Sequence, residues 1–308
     1  LLVIAGNLTI DDTVLPDGTT SMGAIGGDVL YTGLGAALWS PSVGLLSRVG
    51  DDFPSQPWDR VRSAGLDTAG IVSCAGPTIR YWVIYEWDGR RHFIYRNAED
   101  RLEALSPEPD DLPPSYRSTA GAFHVAAIPF GQVDRLVRAA ALFPSAPLIT
   151  LDTHEDFVAG YQERLTSLLP LLGAFLPSRK EAALWFGDDD PERHIGKLLA
   201  LGPRIVVIKM GADGALVQQQ GQSHPRRIPV VPVAARDVTG AGDAFCGGFV
   251  AQLAAGADPI EAALAGAVSA SFAVEAYGIN GLLDVSGRDR DERLAHLRAL
   301  EMERNHGR

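Results

Sequence analysis

Asp237-Val238-Thr239-Gly240-Ala241-Gly242-Asp243-Ala244-Phe245-Cys246-Gly247-Gly248-Phe249 is the stretch from which the rest of the chain is read. Pro232 marks the loop before it, and a helix rich in small residues follows. Gly240 and Gly242 let the backbone turn sharply and present consecutive N–H groups where that helix starts. Those amides, with the positive end of the helix dipole, form a site for a phosphate. An aspartate such as Asp243 at a helix start ordinarily caps it. Beside an anion hole, however, a carboxylate is electrostatically costly unless it takes up a proton during a reaction. A carboxylate set to receive a hydroxyl proton while amides hold a migrating phosphate describes a phosphotransfer centre. Other motifs fail: the third glycine of a dinucleotide fingerprint is Phe245, and Gly196-Lys197 is followed by Leu198, so no P-loop exists. G-x-S-x-G is absent, which leaves a hydrolase elbow without an anchor.

Outward from this stretch, short apolar runs alternate with amphipathic segments. Residues 1–5, 43–46, 122–125, 148–151, 174–176 and 205–208 read as buried strands. Residues 29–39, 57–64, 132–142, 159–172, 180–186 and 191–201 read as the helices between them. That rhythm predicts an α/β fold, a three-layer α/β/α domain around a mostly parallel sheet. The Ala/Gly-rich segments 241–255 and 259–276 are expected as closely approaching helices, and 288–308 as a charged surface helix. Residues 78–96 break the pattern: Asp88-Gly89 between two β-rich arms signals a hairpin. Counting from that turn pairs Glu86 with Arg91 and Trp82 with Tyr95. The hairpin is either an edge of the main sheet or a small β lid, with residues 11–23 supplying the remaining strands. On the lid reading the domains divide as 1–10, 24–75 and 99–308 for the main body, and 11–23 and 76–98 for the lid.

The chain has 308 residues, 46% hydrophobic and 21% charged, enough to bury about three quarters of its unfolded surface. Disorder and a disulfide scaffold are excluded, the latter because only Cys74 and Cys246 are present. No CxxC or HExxH spacing occurs. Twenty-seven basic against 38 acidic residues leave a net charge of −11 and a pI near 5.1, which argues against nucleic acid as partner. No apolar run is long enough to span a bilayer, and the first residues lack a basic leader, so a cytoplasmic location is expected.

The 237–249 stretch closely resembles the C-terminal signature of the ribokinase-like (PfkB) carbohydrate kinase family. Further matches follow in order along the chain. Gly6-Asn7-Leu8-Thr9-Ile10-Asp11 resembles the opening strand, and Gly26-Gly27 the di-glycine that packs against a sugar. Residues 44–52, GLLSRVGDD, are similar to the N-terminal signature. Val206–Gly211 with Gly214-Ala215 resembles the strand and turn bordering the nucleotide. The resemblance implies ATP-dependent phosphorylation of a hydroxyl on a sugar or sugar-like molecule, with Asp243 as base and Gly240, Ala241 and Gly242 as the anion hole. It implies acceptor contacts from Asp11, Gly26, Gly27 and Tyr31, and nucleotide-side roles for Lys209, Gly211, Gly214 and Glu181. Asp237 and Thr239 match positions that contribute to a monovalent-cation (K+) site, while Mg2+ would be chelated by the ATP phosphates. A homodimer through the lid is also expected.

The departures narrow the acceptor. Where the family carries N-x-x-E, this chain has Ser178-Arg179-Lys180-Glu181. Tyr31 stands where ribokinases place Asn, and Ala127 where they place Glu before an Ile-Pro pair. Ribose is therefore not the expected acceptor, and Tyr31 suits stacking on a ring; a nucleoside or inositol is the alternative. A non-catalytic sugar- or nucleotide-binding protein is the remote one. Alternation lets only one of Asp11 and Asp12 face the substrate. Arg96 is either a solvated charge or a clamp on an anionic acceptor. Asp28 reads as a helix cap, and His124 and Cys246 as packing residues.

Overall fold

The computed structural model describes residues 1–87, 91–97 and 100–306. Its strands are β1 (Leu2–Ala5), β2 (Thr9–Val14), β3 (Thr20–Gly26), β4 (Val43–Gly50), β5 (Leu66–Cys74), β6 (Ile79–Tyr85) and β7 (Arg91–Tyr95). There follow β8 (Ala122–Val125), β9 (Leu148–Leu151), β10 (Ala174–Phe175), β11 (Ile205–Lys209), β12 (Ala215–Gln219) and β13 (Arg226–Ile228). Nine of them form one sheet in the order β13-β12-β11-β10-β9-β8-β1-β4-β5. It is parallel from β11 through β5, and β12 and β13 are added antiparallel.

Side-chain alternation along the buried strands builds the three layers. On β1, Leu2 and Ile4 enter the core beneath helices Asp28–Ala37, Ala241–Ala254 and Pro259–Ala273, whereas Val3 and Ala5 enter the opposite core. Helices Phe130–Ala140, Glu155–Leu168 and Pro191–Ala200 cover that second face. A strand buried on both sides reads as a continuous apolar run, as found here. The sequence missed β5, β12 and β13. β5 carries Asp67, Thr68 and Gly70 at the sheet edge, and β12 ends in a glutamine run, so neither shows such a run.

The four remaining strands form a separate sheet, β3-β2-β6-β7, so the hairpin is not an edge of the main sheet. The expected β6–β7 register is wrong by one residue. Tyr85 pairs with Arg91 and Trp82 with Ile94, leaving five residues between the last paired positions; the Asp88-Gly89 turn itself lies outside the described residues. The slip changes which side chains share a face. Tyr81 now opposes Tyr95, their ring centroids 4.7 Å apart, with Phe93 6.1 Å from Tyr81.

Helix Ala241–Ala254 is clamped on two sides through residues lacking side chains. A methyl on Gly247 would overlap the Thr32 carbonyl oxygen, and one on Gly35 would lie 2.5 Å from the Ala244 oxygen. On the other flank, Gly248 and Gly266 give the same close approach to helix Pro259–Ala273. We therefore expect Gly247→Ala to destabilise the protein by about 1–3 kcal/mol through overpacking. Gly196→Ala, in an exposed helical position with open space around it, should be neutral or stabilising by up to about 1 kcal/mol. Urea unfolding of both variants checks this; equal effects would mean the interhelical contact is looser than described.

Candidate active site

The parallel strands end on one edge, and the chain leaves them there into the site: Asn7 soon after β1, Asp152 immediately after β9, and Lys209 closing β11. Ser178, just past β10, bridges to Lys209. This is where open α/β sheets place ligands. Against this edge lies the N-terminus of helix Ala241–Ala254. Gly240 supplies its left-handed start, φ 72°. Glycine is required there twice, because the Tyr31 ring fills the space any side chain would occupy. Ala241, Gly242 and Asp243 form the first helical turn, with Gly242 exposed and Asp243 half-buried.

Around Tyr31 the structure gathers Asp11, Asp237, Tyr85 and Asp243, whose negative charges, after burial itself, push its phenol well above the ordinary range. Asp11 lies over the bare α-carbon of Gly26, which no side chain could share. Burial raises its pKa to about 6, opposed by a hydrogen bond from Thr9 and aided by the Asp237 charge. Tyr31 itself is only 3% exposed, with its ring against Gly240, so it packs on the protein and does not offer the free stacking face expected of it.

Asp28 belongs to the same neighbourhood, a feature sequence reading missed. Its Oδ1 accepts the Asn7 N–H at 2.6 Å, and Gly6 leaves room for it. Its pKa is held well above the carboxylate range, first by burial and then by the Asp243 charge. Gly27, at φ 106°, starts helix Asp28–Ala37 and could carry no side chain, since one would collide with the Asn7 carbonyl.

A second cluster sits beneath the N-terminus of helix Ala241–Ala254. Lys209 Nζ is 2.5 Å from Asp152 Oδ2 and 3.5 Å from Cys246 Sγ, and a methyl on Gly242 would be 3.6 Å from it. Burial pulls the Lys209 pKa down, but the Asp152, Cys246 and Glu181 charges outweigh that and hold it above its usual value. Glu181 caps helix Arg179–Phe186, its Oε2 accepting the Ser178 N–H at 2.7 Å; burial and the Asp152 charge raise its pKa to about 7. Asp152 was not singled out from sequence; the signal was an aspartate directly following a buried strand. Gly211 and Gly214, at φ 58° and 85°, make the turn from β11 into β12. His124 is buried and bonded to Thr150, and burial lowers its pKa to about 4, so it is a neutral packing residue.

One expectation is corrected. Arg96 does not join the site. It pairs with buried Asp12 and lies 4.7 Å over the Trp82 ring, on the face of the small sheet opposite Asp11. The Asp237 and Thr239 side chains are engaged within the protein. Asp237 already accepts the Thr239 and Gly278 N–H groups at 2.8 and 3.0 Å and the Tyr85 hydroxyl, which also bonds Thr239 Oγ1. Among the described residues no group of three or more His, Cys, Asp or Glu side chains could hold a metal.

A model described as "pfkB family carbohydrate kinase" matches residues 24–284. The chain belongs to this family. It is 28% identical over 260 residues to a cytidine kinase of Thermococcus kodakarensis, covering 83% of this chain and 89% of that one. It is 31% identical over 264 residues to a 2-dehydro-3-deoxygluconokinase of Thermoproteus tenax, covering 82% and 80%. An Escherichia coli putative ribokinase II, solved in complex with ATP and Mg2+, has the same fold, with TM-score 0.79 and 21% identity over 96% of this chain and 99% of that one. As a PfkB member the protein is a phosphotransferase acting on an alcohol group. No helix among its described residues is long and apolar enough to cross a membrane.

The Asp11 environment has a testable sign. The folded protein keeps the Asp11 proton up to about pH 6, against an ordinary value of 3.8 in the unfolded chain. Its carboxyl therefore favours folding below pH 4, and that contribution is lost as pH rises through 6. Relative to the parent, Asp11→Asn should gain about 2 kcal/mol of stability between pH 4 and pH 7.5 in urea titrations. A difference independent of pH would place Asp11 in solvent.

Proposed function

We propose that the protein transfers the γ-phosphoryl group of ATP in line to a primary hydroxyl of a sugar or sugar-like molecule, with Asp243 as general base. The observation that carries this is the position of Asp243 in the first turn of a helix whose N-terminal amides open at the carboxyl ends of the strands. In this reading the acceptor lies against the Gly26-Gly27 backbone, beside Asp11. Asp11 accepts its hydroxyl protons and Asp243 removes the reacting one. The Gly240, Ala241 and Gly242 amides stabilise charge developing on the transferring group. Lys209, fixed by Asp152 just below Gly242, adds a positive charge, and the Gly211–Gly214 turn borders the nucleotide. Magnesium, held chiefly by the nucleotide phosphates, would neutralise their charge, with Glu181 the carboxylate placed to contact its water shell.

The small sheet acts as a lid over this cleft and limits loss of phosphoryl to water. Its outer face exposes Met22 and Ile94, 53% and 48%, and supports a homodimer formed there. Consumption of ATP suits a cytoplasmic location. A nucleoside acceptor is the second reading. It is favoured by the Tyr81, Tyr95 and Phe93 rings, which share the lid face carrying Asp11 and offer a surface for a planar base.

Coupled ADP release across hexoses, ketodeoxy acids, inositols and nucleosides ranks the acceptors. Asp243→Asn should lower turnover with the best of them by about 10²–10⁴-fold while calorimetric acceptor binding persists. Turnover equal to the parent would remove Asp243 from the chemistry.

A further inference from the structure

One hydroxyl joins the lid to the anion-hole loop. Tyr85 is the last residue of β6, on the same side of that strand as Tyr81 and Val83. It reaches out of the small sheet to Asp237 Oδ1 and Thr239 Oγ1, 152 and 154 positions away in sequence. Proton counting fixes the direction of the relay. An ionised carboxylate only accepts, so the single phenolic proton goes to Asp237 and the Thr239 hydroxyl donates to Tyr85. Both partners lie within the three residues before Gly240, and Asp237 additionally holds the Thr239 and Gly278 N–H groups. The bonded group thus ties together the lid, the turn at Gly278 and the peptide leading into the left-handed residue at 240.

We propose that Tyr85 is a positioning residue, whose hydroxyl couples the seating of the lid to the shape of the Gly240–Gly242 anion hole. With the lid down, the phenol completes the coordination of Asp237 and holds the Asp237–Thr239 segment in the conformation that aims the loop amides. With the lid lifted, that carboxylate loses a hydrogen-bond donor and the segment is freer to move. The hole is therefore fully formed only when the acceptor is covered, which links phosphoryl transfer to the presence of a seated acceptor. The inference deepens the phosphotransfer reading and rests on it.

The test is Tyr85→Phe, which keeps the ring, together with Thr239→Val and the double variant. Removing a hydrogen bond to a charged group should lower kcat for the acceptor by about tenfold or more, with a smaller change in its KM. The ratio of ADP released to acceptor phosphorylated should rise above that of the parent. The two substitutions should be non-additive, the double variant being no worse than the poorer single one. Independently of turnover, amide hydrogen exchange at 240–243 should quicken in Tyr85→Phe, a readout that loss of general stability would spread over the whole chain. Unchanged exchange at 240–243, or additive losses in the double variant, would overturn the coupling. If the parent itself released no ADP with any acceptor, the kinase reading would fail, while the exchange data would still decide whether Tyr85 holds the loop.

Discussion

The site depends on how tightly helix Ala241–Ala254 is held. Its first turn must stay fixed relative to the strand ends, because amides that wander by an ångström lose most of their value to a migrating charge. Glycines achieve this without bulk: Gly35 and Gly247 let one neighbouring helix approach, Gly248 and Gly266 the other. Such contact places backbone against backbone, which has little freedom to relax. The same helix carries Cys246 onto the Lys209–Asp152 pair, so its inner face is pinned by a buried charge pair as well as by packing. A buried lysine is tolerable only with its partner in place, so Asp152 and Lys209 also hold the ends of β9 and β11 together.

Crowded acids are the other feature of the cleft. Asp11, Asp28, Asp237 and Asp243 act on one another or on Tyr31, and burial disfavours the charged form of each whose proton affinity is raised. The fold supplies donors where it can: the Asn7 N–H for Asp28, and two backbone N–H groups and a phenol for Asp237. A site that keeps proton acceptors close to an anion hole stores repulsion that uptake of a hydroxyl proton relieves.

Much of this was legible in the sequence, for a physical reason in each case. The parallel strands announced themselves because burial on both faces demands unbroken apolar runs, and 237–249 did so because a glycine turn into a small-residue helix has few uses. What stayed hidden was long-range. Asp152 and Asp28 look like a strand-end and a helix-start residue until the fold brings Lys209 and Asp243 beside them. Tyr85 sits in a hairpin arm, and nothing near it in sequence points to Asp237. The edge strand β5 was missed because a strand with one poorly covered side loses the pattern that marks its neighbours, and β12 because its apolar run is only three residues before the glutamines begin. The hairpin register failed by one because loop length, and not the Asp-Gly pair alone, sets which residues oppose.

The adjacent pair Asp11-Asp12 shows what separates scaffold from site in this molecule. The two residues are chemically identical and neighbours in one strand. Pleating sends Asp11 over Gly26 into the cleft, and Asp12 to the opposite face, where it accepts the Gly23 N–H and pairs with Arg96. Arg96 in turn rests on Trp82. On the outer face a carboxylate with a cation and a backbone donor is satisfied and holds β7 to β2 across β6. On the other face burial outweighs the Thr9 hydrogen bond, and Asp11 keeps a raised proton affinity. The small sheet is thus self-supporting on one side and electrostatically unfinished on the other, and the proposed acceptor site lies on the unfinished side.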